Sequence, residues 1–470
     1  MMGTSRNIWA GALALMACSA VTSEVRAESE LDAIREQNEL LRVQIEQHAD
    51  QIRALQDQNL WLRQAAERSD EQGTPVTRTR TTDTLPAVGL GDDWTLNGHF
   101  LLRHYYYGYD DDPRGVEQHS NSPTQYRALL TVSKNVSSSL NATVQFGTGG
   151  GTPRGLESTL GGGADFDTDS VFINQAYITW TPTAPDARFQ MDLQAGKAPN
   201  PFSWGTVTGE GLLPSDLVYW DGTFTQEGAS LIASYELSES TDLHGVASAF
   251  VVDANATSKD PRLFAGQLAA SHRLSRGVRM GLRGTWYEWR ALDSDFVTRA
   301  TSGGNLFSAI DRDEQTRIVE LGGFALLGES APWPVRLYGS ASRNLAANST
   351  VIGSVAVGEE DTAWTTGVEL GRPEKLLVGL NYANIEANSV LSNFKDGIPT
   401  DGFTNREEWH LYAARKLMPG ITLTLDLFAS DALEDTGAFS GCTAGSCGPF
   451  ETSISNSDRT LVMTNLVFDF

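Results

Sequence analysis

The 470-residue sequence has few cysteines, an excess of acidic over basic residues, and no long apolar run beyond its first segment. Three cysteines are too few for a disulfide scaffold. The 35 Lys+Arg against 59 Asp+Glu give a formal net charge of −24, which argues against the basic face that nucleic-acid binding requires. A run of about 18 apolar residues is missing after the N-terminus, which excludes a helical membrane bundle. Strands that alternate apolar and polar residues are not excluded, because their average hydropathy is near neutral.

The first 27 residues have the pattern of an export signal. Arg6 precedes a 14-residue apolar run from Ile8 to Val21, and Val25-Arg26-Ala27 offers a small-residue cleavage site. We therefore expect residues 1–27 to be a signal peptide. Lipidation at Cys18, which follows a lipobox-like Leu-Met-Ala, stays open as an alternative.

Residues 28–65 carry a heptad repeat, which predicts a short α-helical coiled coil. Its seam positions are Leu31, Ile34, Asn38, Leu41, Ile45, His48, Ile52, Leu55, Asn59 and Leu62. Polar residues within the seam favour a fixed register and oligomer state over maximal stability. A single amphipathic helix packed on its own domain is the alternative. Residues 66–93, rich in Thr, Arg, Pro and Gly, read as a linker.

From residue 94 to residue 470, segments of period-two alternation recur with turn residues between them. We predict sixteen strands, at 95–107, 124–135, 138–147, 170–181, 187–197, 226–236, 242–252, 263–274, 277–289, 315–328, 334–344, 362–371, 376–386, 406–416, 420–430 and 459–470. Short turns alternate with long connections along this series. An even strand count with long connections on one rim and short turns on the other is typical of an outer-membrane barrel. The predicted fold class is all-β, a 16-stranded antiparallel transmembrane β-barrel.

The last strand ends in an aromatic residue, with Phe468 and Phe470 on one face. This segment resembles the terminal signature of Gram-negative outer-membrane proteins that the barrel assembly machinery reads. Together with the signal, the coiled coil and the stretches Ala195–Lys197, Asn200–Phe202 and Glu227-Gly228, it makes the chain similar to the "putative porin" family. The resemblance implies a homotrimer in the cell outer membrane, surrounded by lipids and lipopolysaccharide. It places the coiled coil in the periplasm, with peptidoglycan as a candidate partner.

The resemblance also implies a constriction inside the pore. In general porins the third outer connection bends into the lumen, and here that connection, Ala198 to Thr225, carries Glu210, Asp216 and Asp221. Strand parity puts six arginines on the lumen wall: Arg103, Arg127, Arg188, Arg279, Arg283 and Arg336. Acids on the loop and arginines on the wall predict a transverse field that favours polar solutes. Inward arginines are also ordinary in any wet lumen.

The remaining candidate chemistry is sparse. Cys442 and Cys447 in the last long connection are predicted to form a local disulfide, because an exported protein meets an oxidising compartment. No HExxH or GxSxG motif occurs, and we expect no enzymatic activity, cofactor or metal site.

The sequence thus favours a porin for passive diffusion of small hydrophilic solutes and ions. Two alternatives remain. One is a substrate-selective channel, for which Tyr105-Tyr106-Tyr107 would be part of an aromatic stack. The other is an envelope tether, in which the coiled coil links the outer membrane to the cell wall.

Overall fold

The computed structural model describes residues 93–110, 124–149, 158–159, 170–184, 186–204, 213–216, 218–220, 222, 224–252, 260–292, 305, 315–352, 355–392, 394, 404–433 and 458–470. The predicted signal peptide, the coiled coil and all but the last residue of the linker lie outside these ranges. So do Glu210, Asp221, Cys442 and Cys447.

Sixteen long strands form the wall of the fold. They are β1 (Trp94–Asp110), β2 (Thr124–Ser137), β3 (Leu140–Thr148), β4 (Val171–Trp180), β5 (Phe189–Pro199), β6 (Thr225–Ser238), β7 (Thr241–Val251), β8 (Arg262–Ser275), β9 (Val278–Arg290), β10 (Gln315–Leu327), β11 (Val335–Asn344), β12 (Thr362–Arg372), β13 (Leu376–Ile385), β14 (Arg406–Met418), β15 (Ile421–Ala432) and β16 (Asp458–Asp469). Every predicted strand is present, and each end lies within 3 residues of its prediction.

Each strand pairs antiparallel with the next, and the ring closes between β16 and β1. In the closing ladder His99 pairs with Asp469 and Asp110 with Asp458. Closure leaves no unpaired sheet edge, so the strand backbone groups bond to one another. The predicted fold class is confirmed for the barrel.

The two faces of the wall differ in chemistry because side chains alternate along each strand. On β9, Leu282 is 58% exposed on the outer face while its neighbour Arg283 is 2% exposed and points inward. On β15, Leu425 is 51% exposed and Asp426 is 9% exposed. An apolar outside and a polar inside suit a lipid-embedded barrel with a wet lumen.

The connections fall into two classes on opposite rims. Those after odd-numbered strands have 10 to 25 residues, and those after even-numbered strands have 2 to 8. Two small additions sit on the long-connection side: residues 158–159 pair with β2, and residues 350–352 form a hairpin with residues 355–357. In the described part of the chain, no helix is long and apolar enough to span a bilayer.

Candidate functional site

The third long connection, residues 200–224, enters the barrel and contacts its wall. Asp216 Oδ1 lies 2.5 Å from Nη1 of Arg283 on β9, and the two side chains are only 4% and 2% exposed. Nη2 of the same guanidinium lies 2.5 Å from Glu320 Oε1 on β10. Arg283 therefore joins a loop carboxylate to a wall carboxylate in a site closed to water.

Hydrogen bonds hold each member of this trio in place. Nη1 of Arg283 also donates to the carbonyl oxygen of Phe202, at 3.1 Å. The second carboxylate oxygen of Asp216 accepts from the backbone amides of Trp204 and Leu213, at 3.2 and 3.1 Å. A buried charge is tolerated only where opposite charge and hydrogen bonds compensate for lost hydration. One arginine between two carboxylates, with these extra bonds, meets that condition.

An aromatic cluster surrounds Trp220 of the third connection. Its ring lies 5.5 Å from Tyr287, 6.2 Å from Trp289 and 5.9 Å from Phe394, centroid to centroid. The indole Nε1 donates to the Tyr287 hydroxyl at 3.2 Å, and that hydroxyl donates to Glu320 Oε2 at 3.1 Å. The aromatic cluster is therefore tied by hydrogen bonds to the buried ion pair.

Three long connections meet at this cluster. Phe394 belongs to the seventh long connection, residues 386–405, whose buried Val390 and Leu391 complete the apolar core. Asn305 of the fifth long connection donates to the carbonyls of Ala387 and Val390 at 2.6 and 2.7 Å. It also accepts from the Ser392 amide at 3.0 Å. One asparagine side chain thus fixes a turn of the seventh connection over the third.

Tyr219 adds a neutral contact to the wall. Its hydroxyl lies 3.4 Å from Ser340 Oγ on β11. Burial raises the pKa of the Tyr219 phenol, and the negative charge of Glu320 raises it further. The phenol is therefore uncharged throughout the physiological range.

The opposite wall carries a separate polar ladder. In a ring of sixteen strands, β2 is eight strands from β10, so it lies across the lumen from the ion pair of Asp216, Arg283 and Glu320. Arg103 on β1 donates to Asn465 at 2.6 Å, Asn465 donates to Asp426 at 3.2 Å, and Asp426 lies 2.9 Å from His410 Nε2. Arg127 on β2 lies 3.3 Å from the His99 ring.

Two further arginines line the lumen near the short-turn rim. Arg279 lies 3.3 Å from Glu329, and Arg336 donates to Glu369 at 2.8 Å. These side chains border a cavity of about 1090 Å³ that also contacts Lys375. Both arginines face carboxylates of the wall or turn.

The structure separates the residues that the sequence had grouped into one constriction. Arg283 is beneath the third connection, Arg103 and Arg127 are on the far wall, and Arg279 and Arg336 are nearer the short turns. Arg188 is exposed and immediately precedes β5, and its carbonyl accepts from the Glu236 amide at 2.8 Å, so its place on the lumen wall stays a prediction.

The chemical expectation for Asp216 also changes. It is paired and 3% exposed, and its charge is compensated by Arg283 rather than presented to solutes. The tyrosine stack expected for a selective channel is not formed by neighbouring residues, because Tyr105 faces the lumen and Tyr106 is 51% exposed on the outer face.

Sequence reasoning missed the acids of the lumen wall. Glu320, Glu369 and Asp426 all face inward on strands whose alternation was recognised. The sequence signal for each of them was an acidic residue at an inward-facing position whose two strand neighbours are apolar and face outward. Asn305 gave no such signal, since it lies within a long connection. No group of three His, Cys, Asp or Glu side chains in the described ranges is arranged to hold a metal ion.

A comparison with known families agrees with this architecture. Residues 110–316 match the sequence profile of the family described as "Putative porin". Over these residues the chain is similar to the putative porin family. With its closed barrel, this porin is an outer-membrane protein. No curated protein sequence matches it significantly.

Three solved porins are similar to this chain at low identity and with TM-scores below 0.5. A high-pH structure of Pseudomonas putida OprB matches with a TM-score of 0.49 and 11% identity, over 80% of this chain and 94% of that one. Salmonella typhi OmpF in complex with daunomycin gives 0.45 and 9%, over 80% and 97%. A triple mutant of the Rhodopseudomonas blastica porin gives 0.40 and 9%, over 80% and 100%. At these scores the likeness carries no argument about solutes or assembly.

Proposed function

We propose that this outer-membrane porin is a water-filled pore through which small hydrophilic solutes and ions diffuse passively, narrowed by its third long connection. The observation that carries the proposal is the buried contact between Asp216 and Arg283, which ties that connection to the inner wall. No chemical step or cofactor takes part. Solutes cross down their gradients and are selected by size and charge.

The route for solutes lies beside the anchored connection. Described residues of the third connection pack on β9, β10 and β11, so the space left for water adjoins the opposite wall. That wall offers Arg103, Arg127, His410 and Asp426, all hydrogen-bonded and held in fixed positions. Fixed charges in a narrow aqueous passage act on permeating ions more strongly than charges on outer loops, which salt screens within about 8 Å.

We further propose that the subunits form a homotrimer and that residues 28–65 form parallel periplasmic coiled coils. The heptad seam supports this, with its polar positions setting register. Signal cleavage after Ala27 would leave Glu28 at the mature N-terminus. Native mass spectrometry of the detergent-extracted protein tests the trimer and the cleavage together, and a persistent monomer at high concentration would contradict the assembly.

A planar-bilayer experiment tests the pore. Conductance and reversal potential under a salt gradient are recorded for the wild type and for a deletion of residues 205–215, which spares Asp216. We expect the deletion to widen the pore and raise single-channel conductance. Neutralising Glu210 and Asp221 should shift selectivity toward anions, because it removes negative charge from the constriction.

The matched control neutralises three consecutive acids, Asp110 to Asp112, where β1 ends and the first long connection begins. These should change selectivity much less, since screening separates them from the passage. If deletion of residues 205–215 leaves conductance and selectivity unchanged, the third connection does not narrow the pore. A protein that forms no channel in the bilayer would contradict the proposed function itself.

A further inference from the structure

Four arginines form a row on the outer face of the barrel, at the rim of the long connections. Arg262 is the first residue of β8 and Arg290 the last of β9, while Arg317 and Arg343 lie near the same rim on β10 and β11. All four side chains are exposed, and their strand neighbours Leu263, Trp289, Ile318 and Asn344 are buried inward. Strand alternation therefore turns the arginines to the outside. We call these four residues the arginine row.

The register keeps the row at one height. Arg262 pairs with Arg290, Arg317 with Glu288, and Arg343 with Val319. Relative to a line drawn straight across the paired strands, successive arginines are therefore shifted along the strands by 0, 2 and 2 residues. The total shift is 4 residues over three strand steps, or about 1.3 residues per strand. Strands tilted by about 35–45°, spaced about 4.8 Å apart and rising about 3.3 Å per residue need roughly 1.0–1.5 residues per strand to stay level. The ends of the strands shift in the same direction. The last residue of β11, Asn344, pairs with Ile318, which lies 3 residues after the start of β10.

The row stands directly above an apolar band. Trp286 is 40% exposed, Leu321 59% and Trp364 42% on the outer faces of β9, β10 and β12. Outward aromatic residues mark the level where lipid tails give way to headgroups. The guanidinium of Arg290 lies 5.4 Å from the Phe264 ring centroid, so this cation rests on the top of that band. The arginine row is thus at the height of lipid headgroups.

The acids near the row leave its charge accessible. Glu288 contacts Arg290 at 2.7 Å, and Asp361 and Glu359 contact Arg343 at 2.6 and 3.2 Å; Glu288 and Asp361 are only 10% exposed, whereas Glu359 is 53% exposed. The two arginines remain 55% and 57% exposed. Arg262 and Arg317 form no ion pair with another described residue.

This clustering is unusual for an acidic chain. On the described strand residues at this rim, the other outward-facing cation is Lys197 on β5, which lies 3.7 Å from Glu227. A guanidinium keeps its charge and binds phosphate oxygens through two parallel N–H groups. Four such groups at headgroup height, across about 15 Å of wall, match the phosphates of anionic lipids rather than a soluble ion.

We propose that the arginine row binds the phosphate groups of a phosphorylated anionic lipid in the outer leaflet. The inference rests on the proposed function, a porin in the outer membrane, with the long connections outside the cell as is usual for outer-membrane barrels. It assigns a lipid-binding surface to β8–β11, separate from the lumen and its ion pair. The lipid would hold this sector of the barrel at a fixed depth.

The test uses full-length protein in nanodiscs of phosphatidylcholine with a minor share of phosphatidic acid, which carries a phosphate monoester. Retained phosphatidic acid is measured by native mass spectrometry for the wild type and for the double variant Arg262→Gln, Arg317→Gln. These two arginines are chosen because they form no ion pair with another described residue, so we expect the fold to tolerate their loss. We expect retention to fall about tenfold, the scale expected for losing charge-assisted hydrogen bonds.

The control is the double variant Arg276→Gln, Arg415→Gln, which makes the same charge change near the short-turn rim. It should retain lipid as the wild type does. Equal loss in both double variants, or no loss in either, would overturn the proposal. So would displacement of the lipid by an equal concentration of inorganic phosphate, which would make the row a simple phosphate site.

Two further measurements, subunit number and conductance, separate this proposal from an interface between copies of the chain and from the proposed pore. If the variant at the row changes subunit number while lipid retention is unchanged, the row is an interface between copies of the chain, and the lipid assignment is wrong. Conductance of both double variants should equal that of the wild type, because the lumen is untouched. Protein that retains the lipid and forms no channel would leave this inference standing and contradict the proposed pore alone.

Discussion

Asp216 and Arg283 approach to 2.5 Å although they lie on different parts of the chain, a long connection and the middle of β9. Because of this contact, Asp216 does not present its charge to passing ions. With Glu320, the second partner of Arg283, the trio carries two negative charges and one positive charge in a buried position. We conclude that Asp216 governs where the third connection sits, and that its effect on ion selectivity is indirect.

Replacing Arg283 should release the third connection. Arg283→Met leaves Asp216 and Glu320 buried without their common partner, and loss of one member of a buried ion pair costs about 3–5 kcal/mol. The free energy of unfolding in urea should fall by about that amount, and single-channel conductance should rise as the connection leaves the wall.

A double-mutant cycle tells a specific pairing from general damage. Asp216→Asn alone, Arg283→Gln alone and the two together are compared for stability and conductance. We expect the second substitution to add much less than the first, since the pair acts as a unit. Additive losses would show that the contact does not anchor the connection.

Asn305→Ala should loosen the seventh connection. The side chain satisfies two carbonyls and one amide of residues 387–392, all buried, and an unsatisfied buried polar group costs about 1–3 kcal/mol. Hydrogen exchange should speed up at the Ser392 amide while the β9 amides keep their protection. Unchanged exchange at Ser392 would mean that the asparagine is not what holds this turn.

Gly379→Ala should destabilise the wall, because the Tyr412 ring lies over that glycine. An added Cβ would fall 2.1 Å from the ring. Moving the ring would break the hydrogen bonds from its hydroxyl to Glu369 and with Tyr338, at 2.8 and 3.2 Å. We expect a loss of about 1–3 kcal/mol in urea unfolding.

The control is Gly266→Ala on the outer face of β8, where the nearest atom to a new Cβ is 3.9 Å away. This substitution should leave stability unchanged within about 0.5 kcal/mol. Similar losses at both positions would mean that any side chain in these strands is harmful, and the ring contact would explain nothing.

The strands were predictable and the contacts inside the barrel were not. The outer face must be apolar to meet lipid, so alternation such as Leu282 against Arg283 marks each strand and its inward face. The partner of Arg283 depends on how a 25-residue connection folds back, which no local pattern specifies. The register that puts Glu320 beside Arg283 is likewise a property of strand pairing.

Arg188 shows the limit of the strand prediction. Parity assigned it to the inner wall, but β5 begins one residue later, at Phe189, so Arg188 stands at the edge of the ladder, where its carbonyl accepts from the Glu236 amide at 2.8 Å. A boundary error of one or two residues is harmless for the fold and decisive for a single side chain. Within a strand the alternation is reliable, as the inward Tyr105 and the outward Tyr106 of β1 show.

Cys442 and Cys447 should form a disulfide in the exported protein. Both lie outside the described residues, so the prediction rests on their spacing and compartment. Alkylation of the purified protein without reduction should modify neither thiol, and reduction should expose both. Because the closed loop is short, its contribution should be at the low end of about 2–4 kcal/mol, and Cys442→Ser should still assemble. Modification of both cysteines before reduction would contradict the pairing.

The C-terminal Phe470 should act in two separable ways. Its backbone amide and carbonyl bond to the carbonyl and amide of Gly98, at 3.0 and 2.7 Å, and so complete the closure between β16 and β1. Its ring covers Gly98 and is 58% exposed on the outer face, where the assembly machinery would read it. Phe470→Ala removes the ring and keeps the backbone bonds, whereas deletion of Phe470 removes both.

The two variants are refolded from urea into detergent without any cellular factor and are also expressed in cells, with the folded fraction read by heat-dependent gel mobility. We expect Phe470→Ala to refold in detergent nearly as well as the wild type and to be depleted from the outer membrane in cells, because only the assembly signal is lost. The deletion should be impaired in both settings, since two hydrogen bonds of the closing ladder are gone and the Gly98 groups lose their partners. Equal behaviour of Phe470→Ala and wild type in cells would show that the ring is not a signal in this chain, and poor refolding of Phe470→Ala in detergent would assign the ring a structural role in closure instead.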